Sequence, residues 1–412
     1  MPTTSYPSEQ EQLLLELTNR ARSNPLGEFD ALIADAVART GVQANITSAI
    51  TYFGVDLTAF RSQLVGLPAV APLAWNTALA AAAEQHTIRM ISTDTQSHQL
   101  PGEADLGSRI TAAGYTGWTS LRENVYAYAY DMVYGHAGFY VDWGYDDADF
   151  LNGSLRSNWN SIGDGIQDAA GHRVAILAAN LTEIGIGVVA ETDPVTSVGP
   201  YVVTQNFGTR TGYQAQLLGV VIDDADSDRF YDIGEGLGGV TVTASGIAGT
   251  FTTQSWGAGG YQMVLPVGSY TVSFTGGGLE GTILHRINIG TVNVKLDAIA
   301  GEGLEPLDLF GTEGPDVLTG NVRNNIIVAY GGNDTLYGGD GADTLIGDMG
   351  DDFIYGGSST ADLRDVVYGG DGNDFIDGGY GNDELNGGNG NDTVNGGFGA
   401  DTVIGNDGND VL

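Results

Sequence analysis

The residues best placed to do chemistry are aspartates that recur on a nine-residue period toward the end of the chain: Asp316, Asp334, Asp343, Asp352, Asp365, Asp374, Asp383, Asp392, Asp401 and Asp410. Each closes a glycine-rich turn, as in GGDGNDFID, GGYGNDELN and GGNGNDTVN. Two residues later comes an aliphatic side chain, in phase from Leu318 through Ile376 to Leu412. A fixed short period marks a solenoid. One inward aliphatic residue per short strand is what such a unit can bury, and glycine suits turn positions where positive φ would strain a Cβ. Stacked strands lie about 4.8 Å apart, so the aspartates are expected as a column on the outside. Carboxylates that close repel one another unless a hard cation lies between turns. Ca2+, which takes about six to eight oxygens from carboxylates and carbonyls, fits.

A second acidic set lies in IDDADSDRFYDIGEGL. Counted from Asp224, the acids Asp224, Asp226, Asp228, Asp232 and Glu235 fall on the ligand positions of an EF-hand loop, with the Phe230 carbonyl between them. Arg229 occupies the place where that loop needs glycine, and no helices flank it. A solvated acidic turn is the other reading. The stretch is similar to the calcium loops of B-type repeat sandwiches in bacterial surface adhesins. The nine-residue units, for their part, resemble the RTX (repeats-in-toxin) pattern GGxGxDxUx, which implies a calcium-bound parallel β-roll. Two departures stand out. Asn325 replaces the aspartate of one unit, and four extra residues in GGSSTADLRDVVY shift the register between Asp352 and Asp365, which predicts a small loop.

Three segments with different rules must position these groups. In residues 1–212, Ser8 and Glu11 form a capping box, Leu13, Leu14, Leu17 and Ala21 share a helical face, and Asn24-Pro25 ends the helix. A second helix is expected from about Asn76 to Ile91, with Leu79, Ala82, Ala83, His86 and Met90 inward. GIGVVAE and YVVTQNFG read as an antiparallel strand pair. Residues 213–298 lose the helical period and read as a small all-β sandwich, and 299–310 as a linker. Residues 311–412 hold 26 of the 64 glycines, with 19 acidic and two basic residues.

Across the chain 52 acidic residues face 15 basic ones, a formal net charge of -37. That balance argues against nucleic acid, whose phosphates need Lys and Arg, and against anionic membranes. There is no cysteine, so disulfides and thiolate sites are excluded. MPTTSYPSEQEQ lacks the basic and apolar regions of a signal peptide, and no run approaches the roughly 18 apolar residues of a membrane span.

The first segment resembles the CAP (SCP-like) superfamily through EQLLLELTNRARSNP, PLAWNTALAAAAEQH, SHQL, REN, GHRVAIL, LTEIGIGVV and VTQNFG, in that order. The resemblance implies an α/β/α sandwich with a shared cavity. Carried over residue by residue, the cavity's histidines fall on His98 in SHQL and His172 in GHR, and its acid on Glu123 in REN. Asp142 in YVDWG is the nearest match for a further acid, and an insertion from Trp143 to Asp168 interrupts that stretch. Two imidazoles and a carboxylate suit a divalent metal such as Zn2+ with open positions, a general acid–base pair, or a hydrogen-bonded structural cluster. Glu183 and His86 read as structural, Ser97 as merely adjacent to His98, and His136 carries no assignment.

The whole reads as a multidomain chain: an α/β/α sandwich, a small β-sandwich and a parallel β-roll. The RTX resemblance implies type I export from a Gram-negative-type bacterium to the outside or the cell surface, with external calcium folding the repeats. The CAP resemblance implies a module that binds a lipid, glycan or protein, or alternatively a divalent-metal-dependent hydrolase using His98, Glu123 and His172. Because the last unit stops at Leu412, an inward position, the sequence is expected either to be truncated or to fray and self-associate at its C-terminal end for want of a cap.

Overall fold

The computed structural model describes residues 6–144, 150–151, 154–155, 163–167, 170–279, 281–301, 309–321, 324–360 and 362–412. Most of the insertion expected at 143–168 and of the linker expected at 299–310 lies outside the described residues. The chain forms two compact units, residues 1–280 with 285–300, and residues 281–284 with 301–412.

The first unit opens with the helix Glu9–Ser23, started by a complete Ser8/Glu11 capping box. Asn24 then caps a second helix, Pro25–Leu32, whose first residue is the proline. Burial of the first helix is not confined to its leucines: Gln12, Glu16, Thr18, Asn19 and Arg22 are also buried. Arg22 survives inside because its guanidinium donates to the carbonyls of Ala71, Ile176, Ala178 and Leu181. Loss of hydration still lowers it to about 10.

A four-stranded sheet runs in the order Ala74–Trp75, Glu183–Ala190, Tyr201–Arg210, Trp118–Ala129. The pairing of Glu183–Ala190 with Tyr201–Arg210 is antiparallel, as is that of Trp118–Ala129 with Tyr201–Arg210. The helix Thr77–Ser92 packs on this sheet, with Leu79, Ala82, Ala83, His86, Thr87 and Met90 buried. Two glycines set how closely. A Cβ at Gly185 would overlap the Ala80 backbone nitrogen, and one at Gly187 the Glu84 nitrogen. The helices Glu9–Ser23 and Met132–Val141 pack against the sheet and each other, giving the α/β/α arrangement.

Residues Gln216–Ile222 pair antiparallel with Gly260–Val264 and parallel with Val294–Lys295 and Ala298–Ile299. A second sheet carries Gly249–Gln254, Thr241–Gly246 and Gly268–Thr275 in that order. Sequence patterning treats this β-module as a successive domain, yet it packs into the same unit as the α/β/α layers. Buried polar groups make the join. The Gln262 amide accepts from the Trp75 N–H (3.0 Å) and donates to its carbonyl (3.1 Å). Asn293 donates to the carbonyls of Pro72 and Thr182. Lys295 pairs with buried Glu16 at 2.8 Å.

In the second unit, strands alternate between a six-stranded and a five-stranded parallel sheet. Val317–Thr319 pairs with Thr335–Tyr337, and Ile326–Val328 with Thr344–Met349. One coil is therefore 18 residues, two nine-residue units, and the offset grows to 22 across the extra residues, where Phe353 meets Phe375. Ile327, Leu336, Leu345, Ile354, Val367, Ile376, Leu385 and Val394 form the core. Leu412, expected inward, is instead 67% exposed, beyond the last buried aliphatic of its column, Val394.

The glycine contacts yield a test in the first unit. No tryptophan occurs in residues 281–284 or 301–412, so tryptophan fluorescence does not report the second unit and follows the unfolding of the first. Gly185→Ala should destabilise it by about 1–3 kcal/mol through overpacking; an unchanged midpoint in denaturant would contradict the close approach.

Candidate functional site

The repeat aspartates occupy two columns, one along each edge of the roll. In the first, the Asp316 N–H donates to Asp334 Oδ1 (2.7 Å), Asp334 to Asp352, Asp352 to Asp374, Asp374 to Asp392, and Asp392 to Asp410. In the second, Asn325 donates to Asp343 (2.7 Å), Asp343 to Asp365, Asp365 to Asp383, and Asp383 to Asp401. The expectation of a single column on the outside is thereby corrected. From Asp334 to Asp392 these aspartates are at most 2% exposed, because each carboxylate folds back beneath its turn to reach an amide of the coil before.

That bond uses Oδ1 only. The Oδ2 atoms of Asp334, Asp343, Asp352, Asp365, Asp374, Asp383 and Asp392 are buried without a hydrogen-bond partner. The first glycine of each turn keeps the space beside them clear: a Cβ at Gly338, Gly347, Gly369 or Gly387 would overlap the Oδ2 of Asp343, Asp352, Asp374 or Asp392. Buried, unpaired anionic oxygens are expensive, and a row of them beside backbone carbonyls is an oxygen-only donor set for a hard cation. The residues present therefore fit Ca2+. Asn325 keeps the ladder with its N–H but brings no charge. At the start of the first column, Asp316 Oδ2 is already taken by the Thr312 N–H and hydroxyl.

The acidic loop of the β-module has a different construction. Asp224, Asp226 and Glu235 place one oxygen each within 4.8 Å of one another, and Asp226, Asp228 and Asp232 form a second such group. Backbone amides organise it: Arg229 N–H donates to Asp224 (3.0 Å), Ala225 and Asp232 N–H to the two oxygens of Glu235. Arg229 takes the glycine-type conformation itself, at φ 63. Its neighbour Phe230 lies under the Arg20 guanidinium, 4.4 Å from the ring centre, which ties the loop to the first helix. Burial, then the nearby Asp228, Glu235 and Asp226, raises the Asp232 carboxyl above its ordinary range.

In the α/β/α layers, His98, Glu123 and His172 line one cavity of about 260 Å3 with Leu121, Arg122, Gln167, Gly171 and Ala175. The two rings stack loosely, 6.4 Å between centres. Each Nδ1 faces its own carboxylate: His98 meets Glu123 at 3.1 Å, and His172 meets Asp142 at 2.6 Å. Asp142 is fully buried at the end of the Met132–Val141 helix and also accepts the His172 N–H. Glu123 is further held by Arg109 at 2.8 Å. The arrangement is two carboxylate-oriented imidazoles, which leaves Nε2 as the ring nitrogen for a ligand or a proton. Gln167 also lines a larger cleft of about 740 Å3, walled by Tyr52, Tyr126, Tyr128, Tyr130, Tyr134 and Trp143.

The other singled-out groups lie elsewhere. Ser97 Oγ donates to the Gln99 carbonyl. His86 is buried between Glu103 and the Ser97 carbonyl, both 2.9 Å away. Glu183 accepts from Asn76, Tyr115 and Arg210. His136, unassigned from sequence, is buried against Glu28, which also takes a two-pronged bond from Arg20. No local motif links these three residues.

Residues 15–207 match the Cysteine-rich secretory protein family, CAP. The RTX calcium-binding nonapeptide repeat matches four times, over 310–345, 331–360, 361–394 and 377–412. The chain thus carries a CAP domain followed by RTX calcium-binding repeats. No curated protein matches it. Among solved structures, an extracellular protein containing a SCP domain from Bacillus anthracis str. Ames is similar, at 21% identity and a TM-score of 0.24. The match covers 42% of this chain and 45% of that one, so it spans less than half of that protein's length.

The buried carboxyls carry a pH signature. Loss of hydration, opposed by the ladder bond and reinforced by neighbouring carboxylates, pushes Asp343 and Asp352 to about 6, Asp374 to about 7 and Asp365 to about 8. A carboxyl raised above its unfolded value of about 3.9 favours the coiled state only while protonated. The calcium-free roll should therefore be most stable below about pH 4 and lose stability as pH climbs toward about 8. Circular dichroism of the full chain in chelator should show less β-structure at pH 8 than at pH 5, with calcium abolishing the difference. A chelated signal that is flat or stronger at pH 8 would contradict this.

Proposed function

We propose that this is an exported calcium-binding protein whose repeats fold when they meet external calcium, presenting a CAP domain that acts as a binding module. One observation carries the calcium reading: seven buried carboxylate oxygens in two columns, each lacking a partner. A cation that binds only the coiled state stabilises it by mass action. In low calcium, the charge of the repeats keeps the chain open, as passage through a type I channel requires. The acidic loop from Asp224 to Glu235 is read as a further calcium site, resembling those of adhesin B-type sandwiches, and its amide-organised carboxylates support that reading.

For the CAP domain the favoured role is recognition of a surface lipid, glycan or protein. The tyrosine-walled cleft supports it, since such walls offer flat apolar faces with hydroxyls at their rims. Among the described residues, no helix is long and apolar enough to cross a membrane.

The test is a calcium titration of the full chain after chelation, followed by circular dichroism and calorimetry. We expect a gain of β-structure at millimolar calcium, and the uptake of one ion less when Asp226→Ala is combined with Glu235→Ala. A full β signal in chelator at pH 8 with no heat on adding calcium would end this reading.

One observation favours a second reading, a metal-assisted hydrolase: the paired His98–Glu123 and His172–Asp142 contacts. In it, His98 and His172 would hold a divalent ion such as Zn2+, and the ion would polarise a substrate oxygen or a water. His98→Ala, at a ring whose side chain is 60% exposed, should then abolish zinc uptake and hydrolysis with no change in unfolding midpoint. Retained hydrolysis, or no zinc uptake by the parent, would remove the enzyme reading.

A further inference from the structure

The extra residues between Gly356 and Asp365 change the chemistry of their turn as well as its length. The Leu363 N–H donates to the Gly341 carbonyl of the coil before (3.0 Å), and a Cβ at Gly381 of the coil after would overlap the Leu363 carbonyl. Leu363 therefore takes the place held on either side by Gly341 and Gly381, which are left-handed at φ 124 and 141. Asp362 falls where Asp340 and Tyr380 stand in the neighbouring coils. Those two are half-buried, whereas Asp362 is only 7% exposed. Its Oδ1 accepts the Leu363 N–H at 3.0 Å. Its Oδ2 is buried with no hydrogen-bond partner.

Gly357 shows where that oxygen is aimed. A Cβ there would overlap Asp362 Oδ2 and lie 2.6 Å from the Gly339 carbonyl oxygen of the coil before. Oxygens of two successive coils thus approach each other in the space that the missing Cβ of Gly357 leaves to them. The same edge carries the unpartnered Oδ2 atoms of Asp343, Asp365 and Asp383. We infer that Asp362 is a calcium ligand outside the nine-residue pattern, sharing with the Gly339 carbonyl an ion seated between these two coils. The loop that breaks the repeat buries a side-chain carboxylate at a place where the neighbouring coils hold half-buried side chains.

This inference rests on calcium binding by the repeats, and the experiment separates the two. Full-length protein, Asp362→Asn and Asp371→Asn would be chelated and then dialysed to equilibrium against graded calcium, with bound ions counted by atomic emission. Asp371 is an exposed acid at the matching place on the other edge, and its variant should bind as the parent does. Asp362→Asn should bind one ion fewer, or bind one ion at least about tenfold more weakly, while circular dichroism at saturating calcium stays unchanged. Should Asp362→Asn misfold, Asp362→Ser, which leaves room for a water, would be counted in its place with the same expectation. A parent that binds calcium and an Asp362 variant identical to it in count and affinity would overturn the inference and leave calcium binding intact. A parent that takes up no calcium would overturn both.

Discussion

The second unit depends on one bond repeated along both edges of the roll, from the amide of each turn-closing residue to the carboxylate one coil later. It fixes the spacing of coils and pulls each aspartate out of water. Because it satisfies Oδ1 alone, each unit from Asp334 to Asp392 also buries an unpaired anionic oxygen. Folding and charge accumulation are thus the same event, and only a co-folding cation separates them. The glycines belong to this constraint as well, since any side chain at Gly347 or Gly369 would take the space beside the free oxygen.

The first unit meets the same problem with side-chain partners of its own. Buried Glu28 is held by Arg20 and His136, Glu183 by Arg210, Glu123 by Arg109 and His98, and Glu16 by Lys295. Hydrogen bonds and charge from Arg20 and His136 outweigh the burial of Glu28, whose carboxyl ends below its ordinary range. Of the chain's 15 basic residues only two lie in residues 311–412, against 19 acids. The buried carboxylates named in the first unit thus find partners within the fold, whereas those of the roll keep an oxygen unpaired and must import positive charge.

That contrast also decides what could be read from the sequence. The roll was legible because its period is written in every unit, and the aliphatic column fell where the phase put it up to Val394. The way the aspartates turn inward was not, since a nine-residue repeat does not say that a coil takes two units or that the carboxylates reach back across 18 residues. In the first unit, local signals such as the Ser8 cap and the GIG strand were visible, and family likeness brought His98, Glu123 and His172 forward. Arg109, which steadies Glu123, and the Arg20–Glu28–His136 group had no local signal, because their partners meet only through tertiary packing. Asp362 was hidden for the opposite reason: it lies inside a stretch that reads simply as an interruption of the repeat.

The choice of ion follows from what the coils can and cannot adjust. From Asp334 onward in the first column and Asp343 in the second, Oδ1 is committed to an amide, and the carbonyls near Oδ2 belong to turn glycines such as Gly356, Gly369 and Gly387, beside parallel strands whose register is set by the core. Mg2+ asks for a near-ideal octahedron at about 2.0–2.1 Å and keeps several of its waters. A site built from fixed backbone oxygens and buried carboxylates cannot contract around it or make room for that water. Ca2+ accepts longer bonds of about 2.3–2.6 Å and a variable number of ligands, and so tolerates whatever geometry the coil spacing imposes. The same tolerance lets the turn from Gly356 to Asp365 add the Asp362 side chain without leaving the ladder, since the Asp343–Asp365 and Asp365–Asp383 bonds, at 2.8 and 2.9 Å, continue through it.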